Sequence, residues 1–367
     1  MDTKMVIANL LHRPARTIIS ILAVGLEVGM VLLVVGMTTG MLNETSKRIE
    51  GVGADILVQP PGSSFLLGVT NAPMPIKIGD LLGQRVPHVL HVVPVLVMFN
   101  VSGGVNLVFG INLEQFKEVT GGFAYHAGGP FTGPNDILVD DLYARGNHLS
   151  VGKTVNLFNR SFRVAGIVEH GKGARLFIPL VTAEELSGTQ DKASIFFVKC
   201  TDPGYIDDVV DGIRQVLPKY EVRSIPEYTS LYTSNNLPAL DSFIAAMISV
   251  ALGIGFLVIF LSMYTTITER TREIGILKSL GASKTYIMEV ILREAGILCL
   301  VGILAGEAGT VVVRRLFETY FPTLYILLTP QWELYAALLA VAGALLGAAY
   351  PALRAASLDP VDALAYE

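Results

Sequence analysis

Charge is what this chain has least of: 16% of its 367 residues are Asp, Glu, Lys or Arg, against roughly 25% in a soluble domain. So few charges cannot coat a soluble globule of this length, and the positive mean hydropathy agrees. Membrane embedding is the first implication. Cysteine is scarcer still: Cys200 and Cys299 are the two in the chain, and they fall in regions assigned below to different compartments, so no disulfide framework follows. A net charge of −5 argues against a nucleic-acid-binding surface.

Catalytic patterns are missing as well. No serine stands in a G-x-S-x-G elbow,. The run from Gly146 to Gly152-Lys153-Thr154 imitates a phosphate loop, but five residues separate its glycines where the cradle of backbone amides needs four. A strand pattern follows it, not a helix, so we read a turn. His88 and His91 form H-x-x-H, with His126, His148 and His170 scattered through the same region. Zinc requires three or four convergent ligands, and no Cys or carboxylate stands at ligand spacing. The pairs Asp140-Asp141 and Asp207-Asp208 suit helix capping or surface charge. No catalytic residue, metal site or cofactor is expected on this chain.

What the chain does have is four apolar runs of the roughly 20 residues that cross a bilayer. We place transmembrane helices at residues 17–41, 241–268, 294–313 and 334–353. The first has Arg13 and Arg16 before it, as a signal peptide would, but it exceeds the 7–15-residue apolar core of a signal and is read as a retained span. Residues 42–240 have soluble composition. They form a large domain inserted between helices 1 and 2, and a short loop, 314–333, joins helices 3 and 4. The expected fold class is a four-helix membrane protein with a large extracytoplasmic α+β domain.

Basic residues set the orientation. Lys4, Arg13 and Arg16 precede the first span, Arg270, Arg272, Lys278, Lys284 and Arg293 fill the segment 269–293, and Arg354 follows the last. These sides are cytoplasmic, with both termini, and the large domain is outside; Arg314 and Arg315 dissent. In that domain Asp55–Gln59, Val92–Val97 and Arg175–Pro179 read as strands, and Ile137 onward runs from a strand into a helix. Thr154–Phe158 and Ser161–Val168 alternate apolar and polar residues around Asn159-Arg160, a hairpin pattern. Ile206–Leu217 has helical periodicity.

Two carboxylates, Glu27 and Glu307, lie inside spans. An ionised group there is expensive, so each must face the bundle interior, water or a partner, either as a substrate or proton contact or as a hydrogen-bonded link between helices. Gly302, Gly306 and Gly309, with Gly343 and Gly347, permit close helix approach.

The segment after helix 2 is dense in charge: Glu269-Arg-Thr-Arg-Glu-Ile-Gly-Ile-Leu-Lys-Ser-Leu-Gly-Ala282. Ile276, Leu277 and Leu280 are expected on one helical face, Gly281 ends the helix in the left-handed conformation, and Ser283 caps the next. Helix 2 is expected to run into it as one continuous rod. The pattern alone fits snorkelling of charges at lipid headgroups as well as a protein-docking surface.

That stretch resembles the signature of MacB/FtsX-type ABC transporter permeases. Tyr350–Leu364 is similar to that family's C-terminal motif, and Asn9–Thr17 to its amphipathic cytoplasmic helix, here residues 1–16. The one-span, large-domain, three-span layout matches too, so the resemblance covers essentially the whole chain. It implies a periplasmic core domain and a subunit paired with a second permease copy in the bacterial cytoplasmic membrane. It also implies a dimeric ATP-binding partner that uses the ATP, and leaves room for a periplasmic adaptor or lipoprotein. By that resemblance Glu269, Arg270, Arg272, Glu273, Ile274, Gly275, Ile276, Leu277, Lys278, Leu280 and Gly281 form the coupling element against which the ATPase presses. The implied work is transmission of that motion to the outer domain for export, efflux or lipoprotein extraction, or else activation of a cell-wall hydrolase. Asp359-Pro360 reads as the cap and first turn of a short helix in the cytoplasmic tail, residues 354–367.

Overall fold

The structure, a computed structural model, describes residues 13–63, 73–101, 106–232 and 238–359. The Asn9–His12 stretch and the helix expected after Pro360 lie outside the described residues. The chain forms two compact units. One comprises Met1–Gly40, Pro238–Thr319 and Ile326–Glu367, and the other comprises Met41–Leu237 with Tyr320–Tyr325.

Helix α1 (Pro14–Glu50) opens with a proline at its first position, where no intrahelical N–H is lost. It ends with Lys47 and Arg48 in its last turn, the charge sign a helix C-terminus favours. In chain order there follow β1 (Ile56–Gln59), β2 (Met74–Pro75), α2 (Lys77–Arg85), β3 (Val89–Asn100), β4 (Asn106–Ile111), α3 (Leu113–Thr120), β5 (Tyr125–Gly128), β6 (Asp136–Asp140), α4 (Asp141–Gly146), β7 (Thr154–Leu157) and β8 (Arg160–Val168). Then come β9 (Leu176–Pro179), α5 (Leu180–Ser187), β10 (Lys192–Ala193), β11 (Ile195–Cys200), α6 (Ile206–Val216), β12 (Glu221–Ser224) and α7 (Ile225–Ser230). Four more helices complete the chain: α8 (Pro238–Glu269), α9 (Thr271–Ser279), α10 (Lys284–Tyr320) and α11 (Pro330–Ser357).

Among the described residues the α/β unit has a ten-stranded sheet in the order β12-β1-β11-β3-β4-β9-β6-β8-β5, with β7 on β8, and a separate pair, β10 with β2. Most pairs are antiparallel; β4 with β9 and β6 with β8 run parallel. Strand alternation divides the core. Ile56 and Val58 face a cluster with Leu82, Val209 and Ile213 of α2 and α6, whereas Leu57 between them joins the opposite cluster with Phe109, Phe177 and Tyr228.

The expected β7–β8 hairpin forms, one residue earlier than the sequence pattern places it. Phe158 and Asn159 carry positive φ values of 52° and 60°, and Arg160 already pairs with Leu157. Two consecutive left-handed residues are what a two-residue hairpin turn demands. The phosphate-loop imitation is a turn: Lys153 donates to the His148 carbonyl at 2.6 Å and β7 begins at once. His88 stacks on Tyr205, and His91 pairs with Glu118. Among the described residues no group of three or more His, Cys, Asp and Glu side chains is placed to hold a metal.

Asp140 caps α4 by accepting from the Tyr143 N–H at 2.6 Å, and it is fully buried. Arg175 serves three elements at once. It meets Asp140 at 3.1 Å, Glu44 of α1 at 3.0 Å and the Thr323 carbonyl at 3.3 Å. Burial pushes the Asp140 carboxyl up from its ordinary value against the opposing pull of Arg175. Removing one partner of a buried pair is expensive, so Arg175→Met should lower the unit's stability by about 3–5 kcal/mol, read as a fall in its thermal midpoint. A change within about 0.5 kcal/mol, the range of an ordinary surface substitution, contradicts this assignment.

In the helical unit the four long helices are apolar enough to cross a membrane. They approach where side chains are small. A Cβ on Gly302 would lie 2.6 Å from Val24 Cβ, and one on Gly306 2.6 Å from the Gly25 carbonyl. Gly309 has open space beside it, contrary to expectation. One turn beyond Gly306 it is the buried Thr310 that faces α1, beside Gly29. Ser20 and Ser262 join α1 to α8 by a buried 2.8 Å hydrogen bond. Glu27 is 5% exposed and lies against Gly255 of α8, with Gly343 of α11 also near. A Cβ on Gly255 would meet the Glu27 carboxylate where it now stands. Glu307 is half-buried on α10. No hydrogen bond joins the two carboxylates among the described residues.

Candidate functional site

The charged segment resolves into two joints around one short helix. Helix α8 stops at Glu269 and α9 starts at Thr271, so the single residue Arg270 separates them. Its backbone, at φ −110° and ψ 16°, lies in the sparsely allowed bridge region. The Arg270 N–H still reaches the carbonyls of Thr266 and Ile267 at 3.1 and 3.2 Å, while its own carbonyl accepts from Ile274 N at 3.0 Å. One residue therefore closes the first helix and opens the second. The continuous rod expected from the sequence is absent, because the chain bends at a residue that is neither glycine nor proline.

The second joint is as expected. Gly281 has φ 92°, and nothing stands within 4 Å of the place a Cβ would take. Its N–H donates to Lys278 O at 3.0 Å. The Ala282 N–H donates to Leu277 O at 3.0 Å, closing the left-handed cap. Ser283 then caps α10, its Oγ accepting from Tyr286 N at 3.1 Å.

Between the joints, α9 has an inner and an outer side. Gly275 is buried, Ile274 packs on the helical core, and Leu277 lines a cleft with Tyr286 and Val290 of α10. Lys278 also turns inward. Its Nζ donates to the Ala356 carbonyl at 2.9 Å and to the Leu358 carbonyl, tying α9 to the end of α11. On the outer side Arg272 and Glu273 are exposed, with Ile276 46% and Leu280 80% exposed. Leu277 lies 100° from Ile276 and 60° from Leu280 around the helix, on the edge of the expected face that turns toward α10, and is half-buried where the other two are exposed.

Charges gather at the start of this element. Glu269 accepts from Arg13 at 2.5 Å and Arg16 at 3.2 Å, both near the start of α1. Arg270 meets Glu273 at 3.3 Å. Glu294 of α10 lines the same cleft, together with Thr266, Arg270 and Glu273. From sequence, Arg13 and Arg16 mark only orientation, and Glu294 draws no attention at the very edge of its apolar run. The rule that singles out Glu27 and Glu307, a carboxylate within such a run, would have found it.

Two family models match this chain: the MacB-like periplasmic core domain over residues 17–216 and the FtsX-like permease C-terminal region over residues 245–360. A macrolide export ATP-binding/permease protein MacB of Sodalis glossinidius is 26% identical over 400 residues, covering 97% of this chain and 59% of its own length. One from Chlorobium phaeobacteroides is 24% identical, covering 98% of this chain and 60% of its own length. The chain thus spans about three fifths of the curated relatives it matches, and their ATP-binding part lies outside the aligned region. The crystal structure of the periplasmic region of MacB from Actinobacillus actinomycetemcomitans is 17% identical, with a TM-score of 0.37 over 48% of this chain and 92% of that one.

Proposed function

We propose, for a chain that belongs to the MacB/FtsX-type family of ABC transporter permeases, that it turns ATP hydrolysis by a separate, dimeric ATP-binding subunit into motion of its periplasmic domain. The task is export, efflux or lipoprotein extraction, carried out by two permease copies in the bacterial cytoplasmic membrane with both termini cytoplasmic. The observation that carries this reading is the outer stripe of α9. Ile276 and Leu280 stand exposed on this chain, on a short helix that has a specific joint at each end. Exposed apolar residues on a rigid, charge-flanked element mark a docking surface.

Mechanically, pressure on that stripe acts on Arg270 toward α8 and on Gly281 toward α10, while Lys278 carries it to α11. Glu27 and Glu307 we assign to helix packing, with no part in ATP use. The test is reconstitution in liposomes with the cognate ATP-binding subunit. The chain is expected to raise that subunit's ATP turnover several-fold over the subunit alone, and an unchanged turnover contradicts the proposal.

A further inference from the structure

At the far end of α1 the α/β unit holds a cavity of about 570 Å³, a volume typical of small-ligand sites. One wall is the end of α1, with Glu44, Lys47 and Arg48. The loop from β8 to β9 supplies Lys172 and Arg175, and the segment that leaves α10 supplies Tyr325. All of these residues belong to the one unit. Backbone contacts fix the walls. The Gly173 N–H donates to the Arg48 carbonyl at 2.8 Å, and Gly51 lies so close to Gly171 that a Cβ there would collide with its carbonyl.

The lining carries more positive charge than its own carboxylates answer. Glu44 is shared, meeting Arg48 at 3.0 Å and Arg175 at 3.0 Å. Arg175 also pairs with Asp140 at 3.1 Å, and His170 is engaged by Asp141 at 2.8 Å. Lys47 and Lys172 form no ion pair among the described residues; the Lys172 ammonium donates to a neutral group, the Thr120 carbonyl, at 2.8 Å. Glu169 is the other acidic residue of the lining, so four basic side chains face two carboxylates. A helix C-terminus ordinarily repels an anion, but the last four carbonyls of α1 are all bonded. Lys47 O accepts from Gly51 N at 2.8 Å, Ile49 O from Val52 N at 3.2 Å and Glu50 O from Gly53 N at 3.0 Å, beside the bond from Gly173 to Arg48. That blunts the repulsion.

The cavity also lies at the level of lipid headgroups. Lys47 stands six residues past the end of the first apolar run at Met41, about 9 Å along the helix. The headgroup layer is about 5–8 Å deep on each face of a bilayer, and helical side chains lean toward their N-terminus, here toward the membrane. Tyr325, 40% exposed, is of the amphipathic type that gathers at this boundary.

We propose that this cavity binds the phosphate of an anionic headgroup, with Lys47 and Lys172 as its charge partners and Arg48 and Arg175 as a fixed wall. A lipid and a soluble phosphate ester share that chemistry. Such binding is independent of α9 and of any ATP-binding subunit.

The experiment titrates the full chain in detergent with short-chain phosphatidylglycerol, with phosphatidylcholine of equal chain length, and with inorganic phosphate. Bound molecules are counted by native mass spectrometry. One phosphatidylglycerol per chain is expected, held at least tenfold more tightly than phosphatidylcholine. A lysine beside an anionic headgroup is worth roughly fivefold, so Lys47→Gln should weaken binding about fivefold and its combination with Lys172→Gln about twenty-five-fold. Lys219→Gln, exposed elsewhere on the same unit, removes the same charge and should change nothing. If the double variant does not fold, Lys47→Gln alone decides, since Lys47 is exposed and forms no ion pair. Phosphatidylglycerol that resists millimolar phosphate assigns the site to a lipid. Phosphate that replaces it with the same lysine dependence assigns the site to a soluble ester, and either result supports the phosphate site. Equal affinity for the two lipids without lysine-dependent phosphate binding overturns it, as do lysine variants that bind like the wild type.

Discussion

Gly281→Pro is expected to abolish stimulation of the ATP-binding subunit while leaving the four membrane helices folded. Two physical effects combine at this position. The native backbone stands at φ 92°, whereas proline locks φ near −65°, so the chain cannot keep its present path. Proline also removes the N–H that donates to the Lys278 carbonyl at 3.0 Å, and with it the cap that ends α9. The helix would extend or unravel, and Ile276 and Leu280 would leave their present direction. Gly281→Ala is a graded control. There is open space for its methyl group, so the strain is conformational alone, on the order of 1–3 kcal/mol, and an intermediate loss is expected. Normal stimulation in Gly281→Pro, measured in liposomes at equal protein incorporation, would show that the joint has no part in coupling.

The second large effect is expected from Ile276→Asp combined with Leu280→Asp. Both side chains are exposed on the chain, so its own packing should lose no more than about 0.5 kcal/mol of stability. Docking is another matter. A fully buried aliphatic side chain contributes about 1.5–3 kcal/mol. Two that become largely buried under the ATP-binding subunit therefore represent about 3 kcal/mol, or roughly a hundredfold in affinity. The pair should bind the subunit that much more weakly, mainly through faster dissociation. Equal affinity of the double variant and the wild type would place the docking surface elsewhere. The contrast with Lys278 sharpens the test: its bonds to the Ala356 and Leu358 carbonyls make Lys278→Ala a loss of internal packing, not of docking surface.

How much of this was legible in the sequence depends on how local each cause is. The four spans follow from runs of apolar residues, and the Gly281 joint with its Ser283 cap follows from residues two positions apart. Both arise from local chemistry, so both could be read. The break at Arg270 could not, since nothing in its immediate sequence forbids a helix. Its surroundings, a cleft shared with Tyr286 and Glu294 of α10, are distant along the chain and adjacent only after folding. The inward turn of Lys278 is hidden for the same reason, its acceptors being carbonyls at the end of α11. In the α/β unit, individual strands such as β1 and β9 were visible from their composition. The parallel pairings of β4 with β9 and β6 with β8 were not, because register across a sheet is set by long-range packing. The one-residue shift of the β7–β8 turn has a smaller cause: Phe158 adopts a left-handed conformation that its type seldom takes.

Coupling of the kind proposed requires that an ATP-binding subunit take hold of the outer stripe of α9, and a photo-crosslinking amino acid at position 280 of the full chain asks this directly. Irradiation of native membranes should yield one dominant adduct with a cytosolic ATP-binding protein. The adduct should disappear when Gly281→Pro is added. Crosslinks to lipid alone, or to a second copy of the same chain with no ATP-binding protein captured, would contradict it.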